Sequence, residues 1–118
     1  MSGLTYLRPM DADKQLRWLH GQVQSPPLSD RARRHMGYLL RLLQRGEALS
    51  PPHSRPLPVI GPRCHELRVN DAGATWRLIY RTDPQAIVIL EVFEKKTGKT
   101  PPQIIETCRL RLRDYDLI

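Results

Sequence analysis

Basic side chains recur on segments that have the length of β-strands. Arg68 lies in the segment HELRV, Arg77 lies in the segment TWRLIY, and the segment EVFEKK ends in the pair Lys95 and Lys96. Arginine binds phosphate oxygens through two parallel hydrogen bonds, whereas lysine supplies a mobile positive charge. Cations held around a phosphodiester stabilise the negative charge that builds on its oxygens when a ribose 2′-hydroxyl attacks. These residue types therefore indicate phosphodiester binding and the chemistry of RNA cleavage.

Alternation along the strands predicts which of these side chains meet. Side chains two residues apart point to the same face of a sheet, so Glu66 and Arg68 share one side of their strand. An antiparallel arrangement can bring Arg77 of the next strand to that same face, near Lys95 and Lys96. The result would be a shallow basic trough. The candidate acids near it are Glu66, Glu91 and Glu94.

The overall charge agrees with a polyanionic partner. The 118 residues carry a formal net charge of +7, and the pI is near 10.0. This excess favours binding to nucleic acid or to an acidic protein, although it also serves solubility. The chain has 15 arginines but only four lysines, three of which are Lys95, Lys96 and Lys99. These lysines either assist at a phosphodiester, because crowding by other cations lets a lysine transfer protons, or form a solvated charge run.

The composition argues against several other classes of protein. No apolar run approaches the roughly 18 residues of a membrane span. Cys64 and Cys108 lack the spacing of metal ligands, and no histidine is spaced with cysteines or acids as in a zinc site. We therefore expect no metal, no cofactor and no membrane contact. We also expect buried, reduced thiols and a cytoplasmic protein.

One segment, LSDRARRHMGYLLRLLQRGEAL, has the pattern of an amphipathic helix. Ser29 is its predicted N-cap, and Gly46 is its predicted stop. Apolar residues at spacings of three and four predict one buried face, made of Ala32, Met36, Leu39, Leu40 and Leu43. Another face is predicted to bind RNA or an acidic protein segment, or else to be merely solvated, and it carries Arg34, Arg41 and Arg45. The other predicted RNA-binding residues are Arg81 and Lys99.

The remaining segments predict an α+β fold. Leu16 to His20 is a candidate strand, and Ser50 to Pro62, with five prolines, is predicted to be a loop without regular structure. Three strand-length segments joined by short turns predict an antiparallel meander, namely Cys64 to Val69, Thr75 to Arg81 and Ile87 to Phe93. A C-terminal helix is predicted to start at Thr100 as N-cap. We expect a small curved antiparallel sheet with the helices on one face, and a core that includes Trp18, Trp76 and Tyr80.

The residues from Arg55 to Arg113 resemble the RelE/ParE superfamily of bacterial toxins, and especially its HigB-type, phage-derived branch. Three motifs carry the resemblance: RPL from residue 55, HELRVNDAGATWRLIY from residue 65 and FEKKTGKTPPQIIE from residue 93. The segments LRWLHG and GYLLRLLQRGE extend the resemblance to most of the chain. Residues 1–13 fall outside it and are predicted to be an N-terminal extension of a single toxin domain, residues 14–118.

The resemblance implies the toxin of a type II toxin–antitoxin pair, neutralised by a co-produced antitoxin. Relatives such as RelE and HigB cleave mRNA in the ribosomal A site without a metal and leave a cyclic phosphate. By position, Arg68 matches a basic residue that contacts the cleaved nucleotide, and Arg77 matches an arginine that stabilises the phosphate. Lys95 and Lys96 stand where a basic group ends the third strand of the meander. The implied partners are the antitoxin, mRNA on the ribosome and ribosomal RNA.

One part of the RelE pattern is missing. RelE has a catalytic tyrosine early in the last helix, where this chain reads QIIE. The candidates for the general base are therefore His65, Glu66 and Glu94, although alternation also predicts His65 in the core beside Leu67. Two other functions stay open. One is a ParE-like toxin that inhibits DNA gyrase without cleaving RNA, and the other is an inactive member that binds its antitoxin and regulates their shared operon.

Overall fold

A computed structural model describes residues 13–96 and 98–118. The prediction of an extension over residues 1–13 lies, apart from Asp13, outside the described residues. The elements in chain order are strand β1 (Gln15–Trp18), helix α1 (Asp30–Gln44), strands β2 (Ser54–Pro56), β3 (Cys64–Asp71), β4 (Ala74–Thr82) and β5 (Ala86–Lys95), and helix α2 (Pro102–Asp116). Neither helix is long and apolar enough to cross a membrane, as far as the described residues go.

The five strands form one sheet in the order β1-β5-β4-β3-β2. The predicted α+β fold and the antiparallel meander of β3, β4 and β5 are confirmed. The sheet is mixed, however, because β1 pairs parallel with β5. Strand β2 lies inside the proline-rich segment that was predicted to lack regular structure, so that prediction was wrong. An edge strand tolerates Pro56 because only one side of such a strand needs backbone hydrogen bonds.

Helix α1 covers one face of the sheet, which we call the α1 face. Ser29 Oγ accepts a hydrogen bond from Ala32 N at 3.0 Å, and Gly46 follows the helix with φ +87°, so both predicted ends are confirmed. The five apolar residues predicted for its inner side are all buried. They pack against strand residues that include Leu67, Val69, Trp76, Leu78, Tyr80, Ile87 and Ile89. Trp18, on the edge strand β1, is 41% exposed, contrary to the prediction that it is a core residue.

Helix α2 covers the opposite face, which we call the α2 face. Cys108 and Leu112 of the helix pack there against Cys64, Ile79, Val88 and Leu90 of the strands. The expectation that the helices share one face was wrong, because the strands carry apolar residues on both sides and each side has to be covered. Both cysteines are free and buried, as predicted. Burial raises the pKa of the Cys64 thiol to about 11 and that of the Cys108 thiol to about 12.

A register shift in the β4–β5 pair decides where the end of β5 points. The shift lies beside Ile79, where Leu90 is an extra residue in β5. One inserted residue reverses the alternation of all side chains beyond it. In an uninterrupted strand, Lys95 would share a side with Ile87 and Ile89 on the α1 face. The shift instead turns Lys95 to the α2 face.

Candidate functional site

Arg68 of β3 and Arg77 of β4 lie directly opposite each other in the register of the sheet. Both lie on the α2 face, because along their strands they alternate with residues of the α1 face, so the predicted common face is confirmed. Like charges in directly opposed positions repel each other and destabilise a strand pair. A stable sheet therefore needs a negative charge close to this pair of arginines.

Glu66 supplies that charge from a fully buried position, two residues before Arg68. Its Oε1 accepts a hydrogen bond from Nη1 of Arg77 and lies 3.4 Å from Nε of Arg55 and 4.0 Å from Nζ of Lys95. Its Oε2 accepts a hydrogen bond of 3.2 Å from Oγ1 of Thr100. Thr100 is therefore not the N-cap of α2, because its hydroxyl binds Glu66, and the helix instead begins after Pro101.

These residues form what we call the Glu66 cluster: Glu66, Arg55, Arg68, Arg77 and Lys95. The cluster contains four cations and one carboxylate, so it has a strong excess of positive charge. Its cations differ in exposure, because the side chains of Arg77 and Lys95 are 6% and 1% exposed whereas that of Arg55 is 40% exposed. The cluster thus presents an arginine-rich surface above two buried positive charges.

Two buried donors of the cluster have no hydrogen-bond partner among the described residues, namely Nε of Arg77 and Nζ of Lys95. Burial lowers the pKa of the Lys95 ammonium, and the charges of Arg77, Arg55 and Arg68 lower it further, while Glu66 opposes them. Burial also lowers the pKa of Arg77, against the opposing effect of Glu66. An unpaired buried donor is costly, and an anion bound at the cluster would reduce that cost for both groups.

The other predicted residues of the trough lie around this cluster or away from it. Lys96 and Lys99 are exposed in the connection between β5 and α2. Glu94 is exposed and lies opposite Trp76, on the α1 side of the strand. Glu91 does lie on the α2 face, but its carboxylate accepts hydrogen bonds from a histidine and from an arginine: His20 at 2.9 Å and Arg111 at 3.2 Å. Of the candidate acids, only Glu66 lies in the cluster.

The structure places His65 on the opposite face from Glu66. Its ring stacks on Tyr80 with a centroid distance of 5.4 Å, and its Nδ1 lies 3.2 Å from the carbonyl oxygen of Arg63. The position agrees with the expectation that His65 points toward the core side beside Leu67. It is not brought together with Arg68 and Arg77.

Four of the predicted RNA-binding arginines lie outside the cluster. Arg81 is 9% exposed and donates two hydrogen bonds each to Asp83 and Asp116. It thereby ties the end of α2 to β4. The other three are exposed and lie on helix α1 or directly after it, across the sheet from the cluster: Arg34, Arg41 and Arg45. One of these, Arg41, forms an ion pair of 2.9 Å with Asp13.

Two members of the site were not predicted from the sequence. Arg55 comes from edge strand β2 and is opposite Glu66 in the register, while Thr100 comes from the connection before α2. Both belong to motifs that carry the family resemblance, RPL and KTPP, and this was the only signal in the sequence for either of them. Among the described residues, no group of three His, Cys, Asp or Glu side chains could hold a metal ion.

Comparison with known proteins shows which family the chain matches. A family model described as phage-derived protein Gp49-like (DUF891) matches residues 27–113. The match spans well over half of the chain and includes every residue of the Glu66 cluster, while β1 lies outside it. A search of curated proteins found no match.

Proposed function

This chain belongs to the phage-derived Gp49-like family, which is associated with RelE-like toxins, and we propose that it is a toxin that cleaves mRNA on the ribosome without a metal. Its partners would then be a co-produced antitoxin, which neutralises it, and an mRNA held by the ribosome. The family supports the toxin assignment, and the Glu66 cluster supports the chemistry.

The observation that carries the proposal is the excess of cations around one buried carboxylate. In RNA cleavage, the 2′-hydroxyl attacks the adjacent phosphorus and negative charge accumulates on the non-bridging oxygens. Cations that are already in place stabilise this charge, and a single fixed donor contributes about 3–4 kcal/mol in comparable sites. Arg68 and Arg55 would contact the phosphate at the surface. Arg77 and Lys95 would lie beneath the phosphate, where their fixed positive charges and their unpaired donors would stabilise its negative charge.

The role of Glu66 follows from its contacts. Both of its carboxylate oxygens already accept hydrogen bonds from neighbouring side chains, and its side chain is fully buried. A base for the 2′-hydroxyl has to come within hydrogen-bond reach of that group, so Glu66 would hold the arginines in position rather than take the proton. The cluster then supplies charge stabilisation, and the ribosome would supply the orientation of the substrate.

The test is induced expression followed by mapping of the 5′ ends of cellular mRNA. Wild type should create new 5′ ends within coding sequences, and Arg68→Gln should reduce their frequency by about 100-fold or more. Arg68 suits this test because its side chain is half-buried, so its loss disturbs the fold less than the loss of Arg77. Arg109→Gln is the matched control, since it removes one exposed arginine from α2 and should leave cleavage unchanged.

Other outcomes would separate the alternative functions. A ParE-like inhibitor of gyrase would leave the message ends unchanged and would cause DNA damage in the expressing cells. A member that only binds its antitoxin and regulates their operon would leave both messages and growth unchanged. Message ends that are the same with and without wild-type protein would overturn the nuclease proposal.

A further inference from the structure

A cleft opens at the edge of β3, next to the Glu66 cluster but outside it. Edge strand β2 begins at Ser54, so β3 has no β2 partner from Arg68 onward, although Arg68 N still donates to His53 O at 2.9 Å. The start of α1 and the loop before β2 approach this open edge. Between them lies a cleft of about 320 Å³, whose polar lining consists of Arg31, His35, His53, Arg68 and Asn70.

Two imidazoles meet in this cleft. The rings of His35 and His53 are edge to face, with centroids 5.7 Å apart, and both residues are exposed. Their backbones are fixed, because His35 lies within α1 and His53 donates from its N to Ser50 O at 3.1 Å in addition to its bond with Arg68. The pair is therefore accessible to a ligand and is held by two separate elements of the fold.

Arg68 joins the cleft to the cluster. It lines the cleft and also lies opposite Arg77, whose guanidinium belongs to the Glu66 cluster. A phosphodiester bound to Arg68 at this edge would have the imidazoles on one side and the buried cations on the other. Arg31 on α1 also lines the cleft. Asp71 of β3 lines an adjoining cleft that shares Arg31 and Asn70 with it, and its carboxylate accepts a hydrogen bond from Ser29 N.

We propose that His35 and His53 are the acid–base pair for the cleavage of an RNA phosphodiester held by Arg68. This inference rests on the proposed nuclease function and names the proton-transfer groups that the Glu66 cluster lacks. Histidine exchanges protons most readily near neutral pH, and either form of the ring can be present there. The other two histidines do not share the cleft, since His20 binds Glu91 and His65 stacks on Tyr80.

The chemical step balances without a metal or a redox partner. One neutral imidazole accepts the proton of the 2′-hydroxyl, and O2′ forms a bond to phosphorus as the bond from phosphorus to O5′ breaks. The second imidazole, protonated at the start, gives its proton to O5′. The products are a 2′,3′-cyclic phosphate and a 5′-hydroxyl, and the two rings return to their starting states by exchange of protons with water.

The test measures single-turnover cleavage of a defined mRNA on purified ribosomes, across pH, for His35→Gln and His53→Gln. Each variant should cleave about 100- to 10,000-fold more slowly, and each should lose one limb of the bell-shaped pH–rate profile of wild type. His20→Gln is the matched control, because it removes an exposed histidine far from the cleft in the fold, and it should keep both rate and profile. Urea unfolding of each variant checks that the fold is retained.

A modified substrate separates proton transfer from a structural role. Sulfur in place of the bridging 5′ oxygen leaves without being protonated, so it should restore cleavage to the variant that lacks the acid and not to the variant that lacks the base. Wild-type rates and an unchanged pH profile in both variants would overturn the assignment while leaving the nuclease proposal standing. Failure of wild type itself to cleave would instead overturn the nuclease proposal and this assignment with it.

Discussion

Arg77 donates a hydrogen bond to Glu66 at a point in the α2 face where both side chains are buried, with exposed fractions of 6% and 0%. The bond joins neighbouring strands β3 and β4 and neutralises one of the two opposed arginines. A buried ion pair of this kind is strongly destabilising when only one partner is removed. The same pair thus has a structural role and also leaves the cluster positively charged.

Removing only one member of this pair should lower the free energy of unfolding. We expect Arg77→Met to lower the free energy of unfolding by about 3 kcal/mol, because Glu66 would stay buried with weaker partners. The double variant Arg77→Met with Glu66→Leu should recover most of the loss, since no buried charge is then left unpaired. Urea unfolding of both single variants and the double variant gives the coupling. Strictly additive losses would contradict this account of the pair.

The link between Arg81 and Asp116 should make stability depend on pH. Hydrogen bonds from Arg81 lower the pKa of the Asp116 carboxyl, so the folded chain binds this proton less readily than the unfolded chain. The stabilisation is therefore present above about pH 4, the ordinary range of an aspartate, and is lost as the pH falls through the lowered value. Asp116→Asn should cost about 1 kcal/mol or less at pH 7 and should flatten the acid limb of stability against pH.

Asp114→Asn is the matched control for that prediction. Asp114 lies two residues earlier in α2 and is exposed, and its Oδ1 lies 3.7 Å from Nε of Arg113. We expect the free energy of unfolding of Asp114→Asn to stay within about 0.5 kcal/mol of the wild-type value at each pH. Chemical unfolding at several pH values between 3 and about 7 would compare the three chains. Equal acid sensitivity in Asp116→Asn and wild type would contradict a role for this carboxyl.

Replacing either of two glycines by alanine should change the free energy of unfolding, and the two changes should have opposite signs. Gly21 has φ +91°, and an added Cβ would lie 2.8 Å from the backbone N of Val92. Gly21→Ala should therefore lower the free energy of unfolding by about 1–3 kcal/mol. Gly37 lies in α1 with no atom within 4 Å of an added Cβ, so Gly37→Ala should raise it by about 0.5–1 kcal/mol. Thermal unfolding would measure both, and a stabilised Gly21→Ala would contradict the close approach.

Binding to RNA should depend on salt. If the protein neutralises three to four phosphates at the Glu66 cluster, the logarithm of the affinity should fall with the logarithm of salt at a slope of roughly −2 to −3, taking ~0.7 per phosphate of a single strand. A 2′-O-methyl oligonucleotide, which cannot be cleaved, is the appropriate probe. Arg68→Gln should reduce the steepness by about 0.7, and Arg109→Gln should not. An affinity that does not change with salt concentration would argue against phosphate contacts.

The elements with local signals could be predicted from the sequence. Helix α1 has a cap, a stop and a buried stripe within one segment, and all three were confirmed at Ser29, Gly46 and the five buried residues. The β3–β4 pair has a two-residue turn at Ala72 and Gly73. A turn that short leaves little freedom in the register, so a common face for Arg68 and Arg77 could be predicted, while their direct alignment came from the structure.

Contacts between distant segments could not be predicted in this way. Thr100 has the residue type and position of an N-cap, but its hydroxyl binds Glu66, which lies 34 residues earlier in the chain. His35 and His53 are unremarkable in the sequence and come together only because α1 and the loop before β2 pack at the open edge of β3. Proximity of this kind depends on how whole elements pack, which short-range patterns do not record.

The amino-acid sequence by itself determined the excess of positive charge and the α+β plan, and it predicted the shared face of Arg68 and Arg77, because each follows from composition or from short-range alternation. The tertiary structure decided that Lys95 joins them. One extra residue at Leu90 reverses the alternation in β5, and without it the Lys95 side chain would lie on the α1 face. Such a register shift arises from the fit of side chains across neighbouring strands and between the two helix layers, so it emerges only when the whole sheet is assembled.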